Sequence, residues 1–362
     1  MARLFLFLFL GIALPDGIRA ETTDPDDAAD AVRELIIGID VTQHDEVRQQ
    51  VLEARTPLLE AASTDQETFD IHLAWCRLFI EQDLLDDLHA TLDICRELSP
   101  YTTAVGRERV DIMTMLYALS TTNHGERAEA RDLIKDIDHD SLGTPAQLFR
   151  ILLLSRLADS LPDHYNRLNL LVRRAREAGR HDFELLAAVT IVKDAGIPIR
   201  RRMEAVNDIH LAIEGMESSS RLRMLTPAVI AASVGLESLR DLSLSDSFNE
   251  IIVDFEEDPE RAMADALFVA VASMMRQPAD ADVIIDRTES LALKHFGPET
   301  FQVEMARTIR GKHLKRTNRD ARAYADLDLE KAWQATIIYS PRLLENGLDI
   351  APGIQVIFVK PG

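Results

Sequence analysis

From Asp26 onward, apolar residues recur three and four positions apart, the spacing that gathers side chains on one face of an α-helix. The pattern predicts helices over roughly 26–37, 43–62, 67–81, 84–98, 102–120, 125–137, 145–159 and 163–178. It continues over roughly 181–194, 198–216, 220–241, 246–255, 259–276, 280–295, 299–316 and 319–335. Ser99-Pro100, Gly143-Thr144-Pro145 and Gly297-Pro298 join a helix stop to a residue whose fixed φ suits the next start. Gly179 fits a left-handed helix end, and Asp163, Ser247 and Asp258 fit N-cap or first-turn positions.

The polar breaks near 100, 144, 180, 218, 258 and 298 lie roughly 35 to 44 residues apart, each interval holding two helices. A single helix hairpin cannot bury both of its apolar faces, so hairpins of this period stack on one another. The expected fold is therefore all-α, an α-solenoid of stacked helix hairpins over residues 21–335, with a short strand-like tail over 336–362.

Two windows carry a family likeness. Residues 69–100 place Trp75, Cys76 and Phe79 on a first helix and Leu88, Leu92, Cys95 and Pro100 on a second helix and its closing turn. This segment resembles a tetratricopeptide repeat, with Cys76 where Gly or Ala is usual and Leu88 where Ala is usual. Residues 291–334, through Gly297-Pro298, Ala306, Leu314, Ala323 and Leu327, resemble the longer form of that repeat found in kinesin light chains. The resemblance implies a helical surface that binds a peptide or protein.

The tail changes character. Ala335 to Tyr339 and Gly353 to Val359 are β-branched or aromatic runs flanked by Pro341, Gly347 and Pro352, and predict two short strands around a one-turn helix, Pro341 to Glu345. The tail is expected to pack on the last helix pair. Tyr339, Pro341, Gly347, Gly353, Val356 and Phe358 also resemble the opening of a TonB C-terminal domain, which implies periplasmic energy coupling as an alternative function.

The N-terminus adds a compartment. Arg3 precedes an eleven-residue apolar run from Leu4 to Leu14, then Pro15, Asp16, Gly17 and the small Ala20. Residues 1–20 read as a secretory signal peptide, because a permanent span needs about 20 apolar residues. The expected location is exported, periplasmic or secreted, with no integral membrane segment after signal removal. Export makes a disulfide permissible. However, Cys76 and Cys95 are expected to sit roughly 9 Å apart along their hairpin axis, which favours two reduced core residues.

Charge and motifs then narrow the chemistry. With 40 Lys+Arg against 61 Asp+Glu, the net charge of −21 argues against nucleic acid as a partner. No H-E-x-x-H, G-x-S-x-G, Walker loop or G-x-G-x-x-G occurs, so no cofactor is expected and an enzyme is the third-ranked reading. Asp136-Ile137-Asp138-His139-Asp140 begins like a calcium loop. Ser141 and Gln147 stand where that loop needs Gly and Glu, so it reads as an acidic turn.

Against this acidic background, Arg307, Arg310, Lys312, Lys315, Arg316, Arg319 and Arg322 put seven cations within sixteen residues. Arg310, Lys312, Lys315, Arg316, Arg319 and Arg322 are the candidate contacts for an acidic protein or peptide, since Arg holds carboxylates bidentately. The competing reading is a solvated face that neutralises nearby acids. Arg200-Arg201-Arg202 is a second basic run, at a helix start where cations oppose the dipole. The function expected from these features is an exported, non-catalytic adaptor or scaffold.

Overall fold

The structure, a computed structural model, describes residues 24–36, 44–82, 84–123, 126–217, 220–233, 243–276, 279–324, 327, 334–343 and 350–359. The expected signal peptide lies outside these residues. The chain divides into two compact units, with the boundary between Ser160 and Leu161.

In the first unit, α1 (Pro25–Ile36), α2 (His44–Ala61), α3 (Asp65–Glu81), α4 (Leu85–Leu98), α5 (Ala104–Asn123), α6 (Arg127–Asp136) and α7 (Thr144–Arg156) follow one another. Each packs on its neighbour, and α1, α3, α5 and α7 also meet in sequence, forming one row backed by the even-numbered helices. Thr64 starts α3 with a capping box: its hydroxyl accepts from Glu67 N at 3.1 Å while Glu67 Oε2 accepts from Thr64 N at 3.1 Å. The repeat-like window 69–100 is the α3–α4 hairpin, with Trp75, Phe79, Leu88 and Leu92 fully buried.

Cys76 and Cys95 are both free and buried in that hairpin. Their thiols nevertheless meet: a hydrogen bond to Cys95 and, above all, burial push the Cys76 thiol well above its ordinary range. The axial offset expected from residue counting is closed by side-chain direction. Each Cα–Cβ bond leans toward its own helix N-terminus, so in an antiparallel pair a residue before the turn leans away from it and one after leans toward it.

The second unit contains α8 (Leu161–Glu177), α9 (His181–Lys193), α10 (Ile199–Gly215), α11 (Arg221–Ser233), α12 (Leu244–Val253), α13 (Pro259–Arg276), α14 (Ala281–Phe296) and α15 (Phe301–Arg316). It too is a stack of adjacent helices, with α9, α11, α13 and α15 meeting in sequence and α8, α10, α12 and α14 behind them. The helical part of each unit is therefore solenoid-like in packing, and the fold is all-α apart from the tail.

Local signals set the ends. Gly179 adopts φ +66, and Arg180 N reaches Ala175 O at 2.8 Å, closing α8 as expected. Asp258 Oδ1 caps α13 through Arg261 N at 3.0 Å. At α12 the cap is Ser243, not Ser247: the Ser243 hydroxyl accepts from Asp246 N, and Ser247 is one turn inside. Among the described residues of 319–335, the expected helix is not found. Asn318 turns left-handed at φ 55, Arg322–Tyr324 make a single 3-10 turn, and the chain is already a strand at Gln334.

The two rows of this unit differ in burial. On α8 only Leu168, Leu171, Val172 and Ala175 are buried, and on α10 only Ala205, Val206, Ile209 and Ala212, each a single stripe at helical spacing. On α9 every position from Phe183 to Val192 except Thr190 is buried, and on α13 every position from Ala262 to Ser273 except Ala264 and Val271. A helix buried all round must be covered on every side. For α13 the row neighbours α11 and α15 and the helices behind supply three sides; α9 meets α11 in the row and α8 and α10 behind.

The tail supplies the fourth. Strands β1 (Gln334–Leu343) and β2 (Ile350–Val359) pair antiparallel along their full ten-residue lengths. Strand β2 lies against α9, α11 and α13 rather than against the last helix pair. Strand β1 runs through Pro341 where a helical turn was expected. Pro341 stands opposite Pro352, so both missing N–H donors fall at one register step.

Candidate interaction site at the end of α15

The basic cluster grows out of the α14–α15 hairpin. Gly297, at φ +84, ends α14, and α15 runs back along it. Asn318 then closes α15 in a Schellman motif, with Arg319 N donating to Leu314 O at 2.8 Å and Asn318 N to Lys315 O at 3.1 Å. That reversal returns Arg319 to the first turn of α14. There Asp282 Oδ2 accepts from Arg319 Nη1 at 2.9 Å, and Asp282 Oδ1 lies 2.6 Å from His313 Nε2. Arg319 and then His313 hold the Asp282 carboxyl down to about 2, although it is half exposed.

One turn further along α14, Arg310 sits between two acids, its Nε 3.0 Å from Asp286 and its Nη1 2.9 Å from Glu289. Tyr324 donates to the same Glu289 Oε2 at 3.0 Å, and its ring faces both Arg307 and Arg310 at 5.7 and 5.9 Å. Burial, followed by the Glu289 charge, pushes the Tyr324 phenol up to about 12. The single 3-10 turn after α15 thus docks by an aromatic ring inserted among opposite charges.

The six candidate contacts are therefore unequal. Arg310 and Arg319 are spent on α14, Arg322 pairs with its neighbour Asp320 at 2.6 Å, and Lys312 is half-buried with an interaction of its own. Lys315 and Arg316 stand exposed in the last turn of α15, and no carboxylate among the described residues pairs with them. Their position also favours them electrostatically, because the C-terminal end of a helix carries partial negative charge. They are what the cluster can offer a ligand.

Sequence reasoning missed the acidic partners. Asp282, Asp286 and Glu289 recur at helical spacing on α14, complementary to the cations of α15. That matched pair of stripes was the available signal. The second basic run is engaged locally: Arg200 and Arg201 share Glu204 at 3.2 and 2.8 Å, and Arg202 donates to Val192 O at 2.8 Å. At 136–140, Asp138 accepts from Asp140 N and caps a short 3-10 turn.

No group of three His, Cys, Asp or Glu side chains placed to hold a metal occurs among the described residues, and no described helix is long and apolar enough to cross a membrane. The chain matches no model of a known protein family, no curated protein and no solved structure.

Proposed function

We propose that the protein is an exported adaptor that binds a protein or peptide on its helical-repeat surface and performs no chemistry itself. The observation that carries this reading is the way the row α9, α11 and α13 accepts an extended segment across successive helices, as β2 lies there. A stacked row offers one site per helix to a linear chain, so affinity accumulates along the segment and a few charged or aromatic groups set specificity. Lys315 and Arg316 are the cations available to an acidic flank of such a partner.

The test is crosslinked capture from the exported fraction, comparing wild type with Lys315→Glu/Arg316→Glu. Both positions are exposed, so the variant is expected to keep its fold, checked by its helical circular dichroism. The expected outcome is a specific partner captured by wild type and reduced at least tenfold by the variant, about 1.4 kcal/mol or more of binding free energy. Absence of any specific partner with wild type would sink the adaptor reading.

A further inference from the structure

We infer that the face of α9, α11 and α13 is an acceptor for an extended, uncharged strand of about ten residues, and that the chain's own C-terminal hairpin is its resident and displaceable occupant. The inference rests on the adaptor reading and names the chemistry of the segment recognised.

Dimensions support it. Ten extended residues span about 33 Å, and packed helices stand about 8–10 Å apart, so three adjacent helices make a floor that one strand crosses from end to end. Strand β2 meets α9, α11 and α13, three consecutive members of the row.

Composition sets the ligand class. In a chain that is 28% charged, β2 (IAPGIQVIFV) carries no charge and β1 (QATIIYSPRL) only Arg342. The buried acids Glu184 and Asp265 are already held by Arg176 and Arg221, and α9 and α13 are otherwise buried mainly through apolar side chains. These are matched by β-branched and aromatic residues and would exclude an acidic or basic segment, which would lose its hydration without gaining ion pairs.

The hairpin is also the kind of element that opens alone. A two-stranded sheet has little stability of its own. Among the described residues it is not extended by a third strand, and it is anchored through β2. Elements held by one face open at lower cost than the helices beneath them. A competing strand would then take the place of β2 on the same row, with the protein's own tail as the sequence it must outcompete.

The experiment starts from the full chain with a protease site inserted between Glu330 and Lys331. Cleavage leaves the hairpin attached only by its contacts, and a labelled synthetic peptide of residues 334–362 is offered in excess. The expected result is exchange of the resident hairpin for the labelled peptide, with the helical circular dichroism unchanged. Binding should be saturable and at least tenfold weaker for a Val356→Asp peptide, Val356 being half-buried in β2.

A body that unfolds or aggregates as the hairpin leaves would overturn the inference, as would a hairpin that never exchanges. Hydrogen exchange on the uncut chain gives an independent reading. The amides of β2 should exchange well before those of α9 and α13, and exchange of all three only through global unfolding would make the hairpin a fixed part of the core. Failed peptide exchange alongside intact crosslinked capture would place the error in the hairpin. Lost capture with intact peptide exchange would place it in the adaptor reading.

Discussion

Arg221 on α11 grips Asp265 on α13 with both prongs of its guanidinium, Nε to Oδ2 at 2.7 Å and Nη2 to Oδ1 at 2.6 Å, while the Asp265 side chain is only 3% exposed. The pair ties together two helices of the row on which β2 rests. Burial still outweighs the guanidinium, so the Asp265 carboxyl is raised above its ordinary range. Removing only the cation strands a buried carboxylate. Arg221→Met is expected to cost about 3–5 kcal/mol, and Arg221→Met/Asp265→Leu to recover most of that loss. Urea unfolding of the two variants checks this, and equal losses in both would show that the charge pair is not the cause.

His72 on α3 is buried, with its Nδ1 lacking a hydrogen-bond partner and the Arg55 charge nearby. Burial first, then Arg55, pulls its imidazole down to about 4. Between about pH 6.5 and 4 the unfolded chain takes up a proton that the folded chain refuses, so stability falls as the pH falls through this window. The full linkage value is about 3 kcal/mol, and local relaxation should make the observed change somewhat smaller. His72→Leu is expected to flatten this part of the stability profile, read by denaturant titration at several pH values. A slope unchanged by the substitution would assign the acid sensitivity elsewhere.

Trp75, fully buried on α3, donates from Nε1 to Val51 O at 2.9 Å and so pins α2 to the next helix. Trp75→Phe keeps most of the apolar area and loses only the bond between the helices, since Val51 O still accepts within α2, with an expected cost of about 1 kcal/mol. Trp75→Ala adds a cavity and is expected to reach about 3–5 kcal/mol. The difference between the two, measured by thermal or urea unfolding, separates packing from the hydrogen bond.

Gly179 has φ +66 and open space where a Cβ would sit. Any loss on substitution there reports backbone conformation alone. Gly179→Ala is expected to destabilise by about 1 kcal/mol, and Gly179→Asn by less, because Asn tolerates the left-handed region. Equal cost for the two would point to something other than φ.

The helices were legible in the sequence because amphipathic periodicity, capping residues and Gly or Pro breaks act over a few residues, and each α8-like or α10-like stripe declares its buried face locally. The cations of α15 were legible as residues but not as a site. Which of them are neutralised depends on Asp282, Asp286 and Glu289, 21 to 37 positions away, brought across only when α14 and α15 pack. The strand character of the tail could be read from its β-branched runs. Its seat could not, because β2 meets α9 more than 150 residues earlier in the chain. The sequence held a trace of that seat in α9 and α13, which lack a polar face. Periodicity records that a face is covered, and only the tertiary structure decides by what, since burial of apolar surface is non-directional and names no partner.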